Sequence, residues 1–132
     1  MIHTLNVRTS RRIEMVDITG QIQEQVHLSG VTEGICHIFS AHTTAGLTIN
    51  ENADPSVQAD ILMVLNKIIS DQEPYRHAEG NSPAHIKTSL MGPNLTVLVS
   101  QGRLLLGTWQ GVFLSEFDGP RTRKVHLKIM AG

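Results

Sequence analysis

Three histidines, His42, His77 and His85, lie among hydroxyls, amides and carboxylates in two short stretches, SAHTTAGLTINENADP (40–55) and YRHAEGNSPAHIK (75–87). In the first, His42 follows the end of a strand-like run and is flanked by Ser40, Thr43 and Thr44. It shares strand parity with Cys36 and Ile38, which aims it from the core side. Asn50, Glu51 and Asn52 then crowd the approach to a helix, with Asp54 read as its cap. In the second stretch, His77 and His85 bracket Glu79 and Asn81. Neutral imidazoles from separate segments are how an open metal site is assembled, three nitrogens leaving a fourth position for water or substrate. The spacing is no signature of the HExxH kind, and a polar surface loop that happens to carry two histidines fits as well. His3, His27, His37 and His126 have nothing comparable around them and are read as structural or exposed.

A third stretch, GTWQGVFLSEFDGPRTRKVHLKI (107–129), places Val125, Leu127 and Ile129 on one parity. Carried backwards, that parity reaches Arg123 and Arg121, two guanidinium groups on a core-facing side that need carboxylate or phosphate partners. Glu116, in phase with Val112 and Leu114, is one candidate partner. Bidentate phosphate recognition and a structural Arg–Glu network both remain open. Trp109 is read as core. No P-loop, dinucleotide glycine motif, GxSxG elbow or cysteine nucleophile pattern occurs, so hydride transfer and acyl-enzyme chemistry are poor fits.

The elements that must position these residues follow from periodicity. Residues 2–8 and 11–16 alternate as edge strands. Ile18, Ile22 and Val26 recur every fourth residue up to Gly30, which predicts a helix over about 17–29. Gly34 to Ala41 is apolar on both parities, like a strand covered on both faces, and 45–50 reads as another strand. Asp54 and Pro55 open a second helix over about 55–70, with Val57, Ile61, Leu62, Val64, Leu65, Ile68 and Ile69 as its buried stripe. Residues 71–84 form a polar loop, long enough to be functional. Strand-like runs follow at 85–91, 94–99, 103–117 and 121–130. The fold class is α+β: a mainly antiparallel, β-sandwich-like sheet with the two helices on one face, in a single domain over 1–132.

Composition narrows the function. A net charge of −1 at pH 7 and a single Trp among 132 residues argue against a nucleic-acid partner. The one cysteine, Cys36, excludes an internal disulfide and a cysteine zinc knot. The start MIHTLNVRTSRR lacks a signal-peptide core and no apolar run reaches spanning length, so a cytoplasmic protein without a membrane partner is expected.

Taken in order, HTTAGLTINENADP, the H-x-EGN stretch running into HIK and LMGPN, and GRLLLGTWQGVFLSEFDGPRTR resemble the YjbQ-like proteins, also called the secondary thiamine-phosphate synthase family. The likeness spans essentially the whole chain. It implies a compact β-sandwich-type fold, a homotrimer with polar motifs near subunit interfaces, and a weak thiamine-phosphate synthase activity. That reaction joins hydroxymethylpyrimidine pyrophosphate to thiazole phosphate and releases pyrophosphate. The resemblance carries over a catalytic set of His42, Glu51, Glu79, Arg121 and Arg123. Thr43, Asn50, Asn81, Trp109, Gln110 and Glu116 would bind a small phosphorylated substrate, and His42, His77 and His85 a divalent metal, zinc-like or magnesium. Magnesium prefers oxygen ligands, so the histidines suit a transition metal better, or act as donors to phosphate. The alternative class is a metal-dependent hydrolase, or a metal- or anion-binding protein of unknown substrate, with Glu79 or Glu51 as general base. A structural trimer in which the motifs serve assembly is the third reading.

Overall fold

A computed structural model describes all residues, 1–132. The strands are β1 (Ile2–Arg8), β2 (Glu14–Asp17), β3 (Glu33–Ser40), β4 (Ala45–Glu51), β5 (Asn94–Ser100), β6 (Arg103–Leu104), β7 (Gln110–Glu116) and β8 (Thr122–Ala131). They form two sheets in the orders β1-β8-β3-β5-β6 and β2-β7-β4, with every neighbouring pair antiparallel. As expected, β1 and β2 lie at sheet edges. The sheets share one core: Leu5, Val7, Cys36, Ile38, Val97, Val125 and Leu127 from the larger meet Ala45, Leu47, Val112 and Leu114 from the smaller. No helix is long and apolar enough to cross a membrane.

Helix α1 (Thr19–Ser29) is the amphipathic segment anticipated, and Ile22 and Val26, with Ile18 just before it, are buried in that core. It stops where Gly30 takes a left-handed conformation (φ 73°), which a residue without Cβ adopts at no steric cost. Helix α2 (Pro55–Ile68) also starts as anticipated, with the Asp54 carboxylate accepting from the Ser56 amide at 2.9 Å. Its apolar stripe behaves differently. No residue of α2 is buried, Val64 and Ile68 stand open to solvent, and only Ile69 at its end is covered. The outer side of β3 is likewise uncovered at Phe39, so that strand is buried on one face rather than two.

A third helix, α3 (Ser82–Met91), occupies the run expected to be strand at 85–91. It lies against β4 over Gly46, where a Cβ would come 2.9 Å from the Met91 Cβ and 3.0 Å from the Gly92 carbonyl. The Gly92 and Pro93 carbonyls then accept from the Leu47 and Ser40 amides, at 3.0 and 2.8 Å. Lys87 of α3 is buried, with its ammonium donating to the Asn66 amide oxygen of α2 at 2.5 Å and lying 5.9 Å from the centre of the Phe117 ring.

One ion pair bridges the two sheets. Arg123 of β8 donates through Nε to Glu116 Oε1 of β7 at 2.8 Å, and through Nη2 to Glu116 Oε2. Glu116 is fully buried, and its oxygens also accept from the Thr9 hydroxyl at 2.8 Å and the Asp118 amide at 3.1 Å. Arg123 Nη2 reaches Thr44 Oγ1 at 2.8 Å. Desolvating two charges is compensated only when their remaining hydrogen-bonding capacity is met, and here both carboxylate oxygens are fully engaged. Burial pushes the Glu116 carboxyl up, but the Arg123, Asp118 and Thr9 hydrogen bonds outweigh it and hold the group below the ordinary 4.5. A carboxyl depressed in the fold contributes stability that is present above its unfolded value and lost as pH falls through the folded one. Glu116→Gln strands a buried guanidinium, so a loss of about 3–5 kcal/mol in urea unfolding at pH 7 is expected. The gap to wild type should narrow below about pH 4.5; an E116Q midpoint equal to wild type at pH 7 would remove the pair from this role.

Candidate functional site

Beyond the ion pair, the β3–β8 ladder ends at Ser40 opposite Val125. The next amide along β8, that of Lys124, finds no strand partner and donates instead to His42 Nε2 at 2.8 Å. A neutral imidazole has one lone pair and one N–H. With the Nε2 lone pair taken, the proton sits on Nδ1 and the ring is a donor. Burial above all, and then the Arg123 guanidinium, hold the His42 pKa below 6.5 despite the opposing pull of Glu116.

His42 opens onto a cavity of about 370 Å³ whose walls also include Thr43, His77, Glu79, Asn81 and His85, with Asp118, Arg121 and Arg123 closing it. The three segments singled out from the sequence therefore do meet here. His77 and His85 pack edge to face, their ring centres 5.3 Å apart. Glu79 Oε1 lies 4.0 Å from His77 Nε2. Arg121 donates through Nε to the Asp118 carbonyl at 2.8 Å and through Nη2 to its carboxylate at 3.1 Å. The same carboxylate oxygen accepts from Asn81 Nδ2 at 2.9 Å. Burial works to raise the Asp118 pKa, yet Asn81 and Arg121 bring it below 3.8.

Acids and donors in this wall are in opposite situations. Glu116 has both oxygens engaged, so it organises Arg123 and is not available to a substrate. Asp118 is shared between Asn81 and Arg121. By contrast His42 Nδ1–H, the Thr43 hydroxyl and Arg121 Nη1 have no partner in the fold. Among the carboxylates only Glu79 stays open, well exposed beside His77. The Asn81 Oδ1 atom is buried without a hydrogen bond. As the residue before α3 it would normally accept from an amide two residues on, but that residue is Pro83, which has none.

Four expected members are elsewhere. Asn50 and Glu51 end β4, opposite Gly111 and Gln110 of β7. They stand five and six positions along the strand from Ala45 at the His42 end, about 17–20 Å. There the Asn50 side chain accepts from the Glu51 amide and Gln110 from the Gly107 amide. Trp109, read as core, is 62% exposed. Within one subunit these residues form a second cluster, apart from the histidines.

The expected metal set does not fit a coordination sphere. No three His, Cys, Asp or Glu side chains come together to hold an ion. The His42 lone pair is already committed to Lys124. A larger groove of about 750 Å³ lies between α1 and the turn at 101–106, and Gln23 in its wall is spent bridging the Gly102 carbonyl and the Leu104 amide. Sequence reasoning passed over Asp118, although it sits inside the quoted FDGPR run, and the Lys124 amide, which has no residue-type signal at all.

A family model described as "UPF0047 protein YjbQ-like" matches residues 3–132. UPF0047 protein YugU of Bacillus subtilis (strain 168) is 47% identical over 131 residues, covering 98% of this chain and 99% of that protein. A crystal structure from Clostridium acetobutylicum, described as an uncharacterized conserved protein of the yjbq/upf0047 family, has a TM-score of 0.92 at 49% identity and covers 98% of this chain and 99% of its own. A Sulfolobus solfataricus structure, a YbjQ-like protein of unknown function, has a TM-score of 0.94 at 35% identity, with 100% and 97% covered. These descriptions overturn the activity that the resemblance implied. None names thiamine-phosphate synthesis or any transferase, and the relatives are described by family alone.

The tautomer of His42 is directly measurable. Long-range ¹H–¹⁵N correlation spectra should show His42 protonated on Nδ1 at neutral pH, with a midpoint below 6.5. An Nε2–H form would contradict the geometry.

Proposed function

The chain belongs to the UPF0047 YjbQ-like family, and from that premise we propose that its cavity binds a small phosphorylated molecule. The supporting observation is the imbalance between donors and acceptors. The acidic oxygens of Glu116 and Asp118 are consumed inside the protein, while His42, Thr43 and Arg121, each with a donor unpartnered in the fold, line the same space. Donors held in place by the fold, in a partly desolvated cleft, suit an oxyanion. His77 and His85, with Glu79 beside them, are placed to exchange a proton with whatever is held there. The net charge of −1 favours a small anion over nucleic acid as partner. We place the protein in the cytoplasm, where a single buried thiol such as Cys36 stays reduced.

Calorimetry with inorganic phosphate tests the reading. Wild-type protein should bind it, and His42→Ala or Arg121→Gln should each weaken binding about tenfold, the value of one charge-assisted hydrogen bond. Glu79→Gln, which removes the one carboxylate left open, should bind phosphate as well or better. No heat with wild type, or equal affinity in all four proteins, rejects the proposal.

We also propose that the protein assembles as a homotrimer, with α2 in the contact. Met63, Val64 and Ile68 are exposed on a helix with no buried residue, which leaves the apolar stripe of α2 without a partner in one subunit. Light scattering should give about three times the 14.5 kDa chain mass, and Val64→Asp with Ile68→Asp should reduce it to one. A wild-type mass of one chain excludes the trimer.

A further inference from the structure

The four sheet edges are not equally guarded. A bare edge presents a row of unpaired amides and carbonyls, which folded chains blunt with short strands, proline, lysine, bulges or a cover. β6 has two residues and β2 has four. β4 is flanked by α3, and its Leu47 amide is capped by the Gly92 carbonyl at 3.0 Å. β1 has seven residues, paired with β8 without a break from Ile2 to Arg8. It contains no proline, lysine or bulge, and its one arginine comes at the last position.

The hydrogen-bond pattern shows which main-chain groups of β1 are free. Thr9, next in register, donates its amide to the Arg121 carbonyl at 2.9 Å. Residues of an antiparallel pair alternate between bonding the neighbour and facing away from it. Val7, Leu5 and His3 therefore pair with β8, while Asn6 and Thr4 face the open edge. No turn or loop group reaches the Thr4 or Asn6 main chain. Thr4, Leu5 and Asn6 line one side of a groove of about 530 Å³, and Gly20, Gln21, Glu24 and Gln25 of α1 line the other. Glu24 is the only charged residue there; it is exposed and makes no ion pair.

An edge strand facing a helix across a groove is the setting in which an extended peptide joins a sheet. Main-chain bonds supply the affinity and alternate side chains the specificity. We infer that β1 takes such a peptide as a sixth strand of the larger sheet, with basic residues at the positions that face α1. Glu24 sets that chemistry, as an uncompensated carboxylate in a groove without a cation. A second copy of β1 fits less well. It would turn His3, Leu5 and Val7 toward α1, none of them a permanent cation, and a two-fold pairing closes a dimer rather than a threefold ring.

A fluorescein-labelled heptapeptide of alternating threonine and lysine, threonine at both ends, is titrated with the full chain at low salt and followed by anisotropy. Binding should saturate with wild type and weaken about tenfold with Glu24→Lys. It should vanish when glutamate replaces the lysines, and when the threonines, whose amides meet β1 in antiparallel register, are N-methylated. An unchanged thermal midpoint verifies that E24K is folded. Hydrogen exchange locates the contact: the Thr4 and Asn6 amides should exchange fast in the free chain and slowly with peptide, while Leu5 and Val7 are slow in both. No anisotropy change with wild type overturns the inference, as does equal binding of the glutamate or N-methylated peptide. Thr4 and Asn6 amides already protected in the free chain overturn it too, because another copy then occupies the edge.

Discussion

A buried ion pair between β7 and β8 is the constraint on which this molecule turns. Glu116 and Arg123 are the only contact between the sheets that carries opposite full charges, and both are placed where water cannot help them. Such a pair is tolerable only with its full complement of hydrogen bonds, and these come from four separate segments: Thr9 after β1, Thr44 before β4, the Asp118 amide after β7, and β8 itself. The carboxylate therefore fixes the ends of several strands at once. Three of those ends, at Thr44, Asp118 and Arg123, also line the cavity.

The chemistry of the site follows from that arrangement rather than from the histidines alone. Because β8 is held by Arg123, the Lys124 amide arrives where β3 has stopped, and His42 fills the gap in the ladder. A ring recruited as backbone acceptor can present only its N–H to a ligand. Arg123 also depresses the His42 pKa, after burial. Asp118, one turn further, orients Arg121 and Asn81 together. The acids set geometry, and the donors are left without partners. That division explains why a cleft with as many carboxylates as guanidiniums can still be read as an anion site.

Much of this was legible in the residues. The fourfold recurrence of Ile18, Ile22 and Val26 gave α1, and Asp54-Pro55 gave the start of α2, because helix periodicity and caps are local. The parity argument correctly paired Glu116 with Arg123, since alternation holds across a strand whatever surrounds it. The burial of α2 was misread for a related reason: a periodic stripe says that a helix has an apolar side, not what covers it. Helix α3 was missed although Asn81-Ser82-Pro83 is a helix start, because the apolar and β-branched residues that follow also suit a strand. Trp109 and Gln110 fell outside the site because sequence proximity to a motif carries no distance. The thiamine-phosphate activity came only from the resemblance, and nothing in the residues themselves required it.

The two sides of the cavity are built from different material. His42, Arg121 and Arg123 hang on strand ends locked by the ion pair. His77 and Glu79 belong instead to the connection between α2 and α3, tied back at one end by the Tyr75 hydroxyl to the Ser70 carbonyl and at the other by Asn81 to Asp118. Parting the strands would expose two bare charges, so the connection is the side of the cavity that can shift at lower cost. That side of the cavity is held by two hydrogen-bond tethers and a polar segment of about a dozen residues, which leaves evolution free to alter it without touching the scaffold.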